Sequence, residues 1–434
     1  MASQVEASAA LHARLEELTS PHQEVANNLE HTSSNIQRQL YDLHDPLARF
    51  PWEVSSEIFI RYLPPADEYP DVSEIVLLLN VCTLWTQIAL STTRIWAKLY
   101  IDIPDDATAE FREVFSRWLQ RSRGNPLSLA LTGPSIPDPE TLDIVVEHAH
   151  RLQELELPSP SYLRIFLVGI GFPALTSLDV DAAEDGRCTP FDVKEFVQVL
   201  QSAPSLVHCD LGDTPEERSG TPDGTRHVCL KSLAIADGDG NASYILNTLT
   251  LPILEKLAIP VEQIDVHHLN TFLIRSSPPL ETMSLHAGSI LPWEDSYRPA
   301  IEECLHLAPT LTRLELTGAV ELQDMLLTIL SQASGDTFLP NLRTLTMDRN
   351  GTYELPDAVW YTQLADILSR RRDTLRTFCI ELPAYMWKWQ LGEPDKDALR
   401  VFRELINAGM DIDMGPVIKA LLKNLARVSP PGAL

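Results

Sequence analysis

The sequence predicts an α/β protein in which an N-terminal three-helix module precedes an irregular solenoid, bent as a horseshoe, with parallel strands inside and helices outside. Three observations carry that expectation. Residues 47–96 hold two apolar runs at helical spacing, LARFPWEVSSEIFIRYL and IVLLLNVCTLWTQIALSTTRIW, joined by a polar insert. Nine later segments repeat the pattern L-x-x-Φ-x-Φ, where Φ is apolar. Apolar stripes at helical spacing lie between them. The boundaries that follow are 1–44 for a helical, coiled-coil-like segment, 45–98 for the module, 99–383 for the solenoid and 384–434 for a helical cap.

In the first segment Leu11, Leu15, Leu18, Val25, Leu29, Ile36 and Leu43 fall on a heptad grid that Pro21 interrupts. Ser20-Pro21-His22-Gln23 reads as a cap with Pro at the first helical position and a capping-box Gln. Two readings stand: a coiled coil that dimerises the chain, or a helix leaning on the module after it.

Within the module, Pro51 suits the first helical position, where its missing N–H leaves nothing unpaired, and Glu53 sits near the positive end of the helix dipole. Val54, Ile58 and Tyr62 recur every four residues beside Phe59 and Leu63, with Ser55, Ser56, Glu57 and Arg61 placed off that apolar face. Pro64 and Pro65 stop the helix. Ser73 is the expected cap of a second helix through Ile75, Leu78 and Leu79. Val81, Cys82, Trp85, Ile88 and Ala89 then repeat at helical spacing. The stretch carries more apolar surface than three short helices bury among themselves.

The series Leu47, Phe50-Pro51, Glu53-Val54, Ile58-Phe59, Leu63, Val81-Cys82, Trp85, Ile88-Ala89 and Ile95-Trp96 closely resembles the F-box, especially the form found in large fungal families. The resemblance implies docking on the Skp adaptor of a cullin-RING ubiquitin ligase. It assigns adaptor contact to Leu47, Phe50, Pro51, Val54, Ile58, Phe59, Leu63, Leu78, Val81, Trp85 and Ile88. Two departures are the insert from Pro64 to Val72, which lengthens the first interhelical connection, and Phe50 where the family more often has Leu. The plainer reading of the same helices is a terminal cap for the solenoid, and the two roles can coexist.

The repeat units are LQELEL from Leu152, LTSLDV from Leu175, LVHCDL from Leu206, LKSLAI from Leu230, LEKLAI from Leu254, LETMSL from Leu280, LTRLEL from Leu311, LRTLTM from Leu342 and LRTFCI from Leu375. Their first leucines lie 23 to 33 residues apart, and six units follow a Pro that suits the turn into a strand. One short strand and one helix per unit is similar to leucine-rich repeats. The stripes Phe191, Phe196, Val199 and Leu200; Ile264, Leu269, Phe272 and Leu273; Leu322, Leu326, Ile329 and Leu330; and Trp360, Leu364, Ile367 and Leu368 are the expected outer helices. Only Asn350 falls where that family places an asparagine ladder, so the arc is expected to be irregular. Leu99, Ile101 and Ile103, then Leu127, Leu129 and Leu131, supply two joining strands, and Val417, Ile418, Leu421, Leu422 and Leu425 a closing amphipathic helix.

Composition narrows the function classes. With 44% hydrophobic and 22% charged residues the chain can bury a continuous core. A formal charge of −27 repels nucleic-acid phosphates and anionic membranes, so neither is an expected partner. The six cysteines, 82, 188, 209, 229, 304 and 379, form no C-x-x-C pair, the usage of a reducing compartment. Residues 1–20 lack a basic start followed by an apolar run, so cytosol or nucleus is expected.

No enzyme motif and no cofactor site emerge. Asp237-Gly-Asp239-Gly-Asn241 starts like a calcium loop, but Ala242 and Thr248 stand where Gly and Glu are needed. His148 and His150, His208 with Cys209, and His267-His268 lack further ligands at productive spacing. Gly212 to Arg226 has no apolar anchor and is expected as a disordered or proteolysed loop. The residues alternating with buried strand leucines would line the concave sheet: Glu154, Glu156, Ser177, Asp179, Asp181, His208 and Asp210 early, Lys256, Arg313, Glu315, Asp348 and Glu381 later. The early strip would favour a basic segment of an unidentified target protein. The expected function is a non-catalytic substrate receptor of a cullin-RING ligase; the alternative is a leucine-rich scaffold without ligase association.

Overall fold

The computed structural model describes residues 32–33, 45–64, 69–134, 136–182, 192–212, 224–236, 242–261, 265–287, 297–332, 338–349, 356–382 and 394–428. It is an α/β protein that divides into two compact units, residues 1–101 with 108–130, and residues 102–107 with 131–434. No helix among the described residues is long and apolar enough to cross a membrane.

The first unit holds helices α1 (Trp52–Tyr62), α2 (Val72–Asn80) and α3 (Thr83–Ser91), a 3-10 turn over Thr93–Trp96, strand β1 (Lys98–Asp102), helix α4 (Ala109–Arg121) and strand β2 (Leu127–Thr132). Two expected boundaries move slightly. Pro51 stands one residue outside α1 as its N-cap, with extended ψ of 148°, rather than at the first helical position. Asp71, not Ser73, caps α2: its carboxylate accepts from the Ser73 N–H at 2.8 Å. Two cap-competent residues lie close together there, and the earlier one bonds the N–H of the later. The α1 helix stops because Leu63, which precedes Pro64, is pushed to ψ 158°. Phe59, Ile75, Leu78, Ile88, Ile95 and Trp96 form the core of this unit.

The phase of α1 differs from expectation. Ser55, placed off the apolar face in the sequence reading, is buried with Phe59, whereas Val54, Ile58 and Tyr62 face outward. The Ser55 hydroxyl donates to the Leu47 carbonyl at 3.3 Å, which makes a buried serine tolerable. The Phe59 ring packs against Trp85 with centroids 5.1 Å apart.

In the second unit every one of the nine L-x-x-Φ-x-Φ segments becomes a strand. These are β3 (Leu152–Leu157), β4 (Ser177–Val180), β5 (His208–Leu211), β6 (Ser232–Ile235), β7 (Lys256–Pro260), β8 (Thr282–Ala287), β9 (Arg313–Gly318), β10 (Thr344–Asp348) and β11 (Thr377–Glu381). Each pairs in parallel with the next. A tenth strand, β12 (Asp411–Asp413), extends the ladder into the region expected to be a purely helical cap. Its single apolar residue, Ile412, gave no alternating signal. The helices Val193–Ser202, Val266–Ser276, Val320–Gln332 and Ala358–Arg370 bury the expected stripes, except that Phe191 and Ile264 fall outside the described residues.

Three devices tie neighbouring repeats. At the entry to two strands the Thr176 and Thr312 hydroxyls donate to the carbonyls of Gln153 and Glu281 at 3.0 and 3.1 Å. Asn350 itself lies outside the described residues. Arginines at helix C-termini reach the carbonyls that close the preceding unit: Arg275 to Leu246 and Leu249, Arg371 to Phe338 and Leu339. Cations there also meet the negative end of the helix dipole. Finally, Arg349, 1% exposed, donates to Gln323 at 2.9 Å and to Asp324 at 2.8 Å and stacks 4.9 Å from the Trp360 ring. Of the segment 212–226 expected to be disordered, 213–223 lie outside the described residues, but Thr225–Arg226 is ordered and pairs in parallel with Leu249–Thr250. The heptad segment and the Asp237–Asn241 loop also lie outside the described residues, apart from 32–33.

Candidate functional site

On the first unit, α1 presents a stripe of exposed apolar side chains. Val54, Ile58 and Tyr62 are 42%, 40% and 53% exposed, and Phe50 and Trp52 at the helix entry are 49% and 43% exposed. The spacing i, i+4, i+8 places the first three on one line along the helix. Large apolar groups exposed together in this way mark interaction surfaces more often than single exposed leucines do.

The residues expected to contact a partner therefore separate into two groups. Phe50, Pro51, Val54 and Ile58 are exposed and available, while Leu63, Val81 and Trp85 are half-buried. Leu47, Phe59, Leu78 and Ile88 are buried, so they support the surface from beneath instead of forming it. Trp52 and Tyr62 belong on the surface and were not among the expected contacts. Tyr62 was legible from its spacing to Val54 and Ile58; Trp52 had no such signal.

The entry to the stripe is held by Asp45. Its carboxylate accepts from the Leu47 N–H at 2.8 Å, from the Trp85 indole N–H, and from the Cys82 thiol at 3.5 Å. The 3-10 turn Pro46–Arg49 is thereby fastened to α3, and Phe50 follows directly from it. Charges flank the stripe: Glu57 pairs with Arg61 at 2.9 Å and lies 3.9 Å from Arg94.

The insert between α1 and α2 ends in fixed contacts. The Tyr100 N–H donates to the Pro70 carbonyl at 3.4 Å, Asp71 bridges Tyr100, and the Lys98 ammonium lies 4.3 Å over the Tyr69 ring. Residues 65–68 lie outside the described residues.

On the second unit, parallel register puts the alternating strand residues into rows. One row runs Glu154, Ser177, His208, Ser232, Lys256, Thr282, Arg313, Thr344 and Thr377. The next runs Glu156, Asp179, Asp210, Ala234, Ala258, Ser284, Glu315, Thr346 and Cys379. Adjacent strands are about 4.8 Å apart, so Glu156, Asp179 and Asp210 are forced to stack. Asp181 extends the acidic group past the end of β4. Burial, then Asp210, Asp181 and Glu156, pushes the Asp179 carboxyl up to about 6. Asp210 is raised by burial and by Asp181.

The later part of the face is internally compensated. Glu315 accepts from Ser284 and from Arg313, each at 2.6 Å. These bonds and the Arg313 charge hold its carboxyl below the usual range although burial opposes them. Asp413, paired with Lys419 at 2.7 Å, is likewise lowered, chiefly by that hydrogen bond. Among the described residues Asp179, Asp181 and Asp210 make no ion pair. The seven expected target-contact residues thus share one face, with the acids concentrated on β3 to β5.

Chemistry at single residues is limited. His148 is half-buried and pushed down to about 4 by burial, then by Arg151 and His150. Burial pushes the Cys304 thiol up to about 12 and raises Cys209 further, so these are inert packing groups. Among the described residues no group of three or more His, Cys, Asp or Glu side chains could hold a metal ion. Comparison with protein-family models and with curated proteins finds no match to this chain.

Proposed function

We propose that this chain is a non-catalytic substrate receptor of a cullin-RING ubiquitin ligase. Its helical module acts as an F-box that docks an Skp-type adaptor, and its strand repeats act as a leucine-rich array that holds a target protein. The observation that carries the reading is the outward stripe of Val54, Ile58 and Tyr62 with Phe50 and Trp52. A helix that served only to cap a solenoid would turn its apolar side inward and its polar side to water. Here Ser55 and Phe59 point in, yet Val54, Ile58 and Tyr62 still line an exposed apolar stripe, which is the arrangement a docking helix needs.

The target surface in this reading is the open face of β3 to β5, where Asp179 and Asp210 attract a basic segment by complementary charge. The acids steer encounter and set register more than they add affinity. Compartment follows from the partner: cytoplasm, nucleus or both.

Co-purification tests the adaptor half. The wild-type chain should bring down an Skp-type adaptor, and the Pro51→Asp, Ile58→Asp double variant should not, because both side chains are exposed and their replacement leaves the core intact. A wild-type chain that brings down no adaptor removes the ligase reading and leaves a scaffold that joins proteins through the array.

A further inference from the structure

The entries to the strands of the second unit form a row of their own, one residue ahead of the first row of the open face. Backbone hydrogen bonds of 2.7 to 2.9 Å join it from strand to strand: the Glu281 N–H donates to the Glu255 carbonyl, Thr312 to Glu281, Arg343 to Thr312 and Arg376 to Arg343. Successive side chains therefore start about 4.8 Å apart. Lys231 and Glu255 in this row neutralise each other at 2.7 Å. Arg343 and Arg376, which lead into β10 and β11, are exposed and make no ion pair or side-chain hydrogen bond among the described residues. Glu281 stands two strands from Arg343, about 10 Å away. Asp411 follows on the strand after Arg376, yet no ion pair joins the two.

A third guanidinium sits inside, between the two turns that carry these arginines. Arg371 begins the turn that leads to Arg376, is 3% exposed, and donates to the carbonyls of Phe338 and Leu339 in the turn that leads to Arg343. It has no carboxylate partner among the described residues, and its Nε–H is buried without an acceptor. Burial lowers its pKa. A buried cation without a counter-ion is costly, and its field is screened less than that of a surface charge. The arginines on either side of it differ: Arg370 pairs with Asp366 at 2.6 Å and Arg372 lies 3.9 Å from Asp373. Three guanidinium charges without a carboxylate thus gather at one place in a chain whose formal charge is −27.

We propose that the entries to β10 and β11 hold an acidic segment of the target protein, with two Asp or Glu carboxylates taken by Arg343 and Arg376. The proposal rests on reading the strand array as the target surface. Each guanidinium presents a planar fork that one carboxylate fills with two N–H···O bonds. Carboxylates three or four residues apart on a helix have Cβ atoms about 5–6 Å apart, close to the spacing of the two arginines. With a basic segment on β3 to β5, the target then carries opposite charges at its two ends, which sets its direction along the sheet.

The test uses the full chain at low salt and N-acetyl-Ala-Glu-Ala-Ala-Ala-Glu-Ala-amide, with binding followed by NMR of the peptide. A chain of this net charge repels an acidic peptide elsewhere on its surface, so binding reports on the arginines. The Glu peptide should bind, and the same peptide with Gln in place of Glu should bind about tenfold more weakly. An Arg343→Gln, Arg376→Gln variant should lose about tenfold for the Glu peptide. The same variant should hold the Lys form of the peptide, which belongs to Asp179 and Asp210, as well as wild type does. Because both arginines are exposed, its far-UV circular dichroism should be unchanged. No binding of the Glu peptide, equal binding of the Gln peptide, or unchanged affinity in the variant would each overturn the proposal. So would equal loss of the Glu and Lys peptides in the variant, or tighter binding of a peptide with one phosphoserine and no Glu, which would make the site a phosphate receptor. Failure of the ligase reading shows separately, as loss of adaptor capture, and failure of the acidic strip as loss of the Lys peptide by wild type.

Discussion

Neighbouring residues on α1 should respond in opposite ways to truncation. Phe59→Ala removes a ring that is 1% exposed and 5.1 Å from Trp85. A buried Phe→Ala change costs about 3–5 kcal/mol, to which the lost aromatic pair adds roughly 0.5–1.5 kcal/mol. Ile58 is 40% exposed, so Ile58→Ala recovers water-exposed surface rather than opening a cavity, and the expected loss is about 1 kcal/mol or less. Urea denaturation followed by tryptophan fluorescence reads the difference, since Trp52, Trp85, Trp96 and Trp118 report on this unit. The midpoint of Phe59→Ala should fall at least about three times as far as that of Ile58→Ala. Equal shifts, or a larger shift for Ile58→Ala, would mean that the helix is rotated and that the outward stripe does not exist.

Three further expectations concern the second unit. Asp324→Asn should cost more than Arg349→Met, about 2–3 against about 1 kcal/mol in urea denaturation, because the first leaves a buried guanidinium without its carboxylate and the second leaves a carboxylate that water can reach. Equal costs would contradict that asymmetry. Arg275→Met should cost about 1.5–3 kcal/mol by removing charged hydrogen bonds to the Leu246 and Leu249 carbonyls, a loss that a purely exposed arginine would not show. Asp179 has a folded pKa of about 6, above its ordinary value, so its ionisation opposes folding as pH rises through that window. Asp179→Asn should therefore raise thermal stability near neutral pH and above, with the gain fading as pH falls below about 6 toward the ordinary carboxylate range; a gain independent of pH would contradict the acidic stacking.

The strands were the most legible part of the chain. L-x-x-Φ-x-Φ fixes both the period and the side that each residue faces, so Glu154, Asp179 and Asp210 could be assigned to the open face before any register was known. The strand β12 was hidden because Asp411-Ile412-Asp413 carries one apolar residue, and its place comes from pairing with β11 rather than from its own pattern. The phase of α1 was not legible for a different reason. With Val54, Ile58 and Tyr62 on one side and Phe59 on another, the helix is apolar over most of its circumference, and spacing alone does not say which side meets the core. The Leu47 carbonyl, which accepts from Ser55, and the Trp85 ring, which takes Phe59, decide it, and neither contact lies within the helix itself. The Asp45 clasp was equally invisible, since its partners Cys82 and Trp85 lie far along the chain.

In the function proposed, the outward face of α1 holds an Skp-type adaptor. Amide hydrogen exchange over Trp52–Tyr62, with and without the purified adaptor, addresses it most directly. Added protection along α1 is expected in the complex, with loss of that protection in Ile58→Asp while the free variant exchanges like wild type elsewhere in the unit. Binding of the adaptor with no change in protection over Trp52–Tyr62, or undiminished protection in Ile58→Asp, would contradict it.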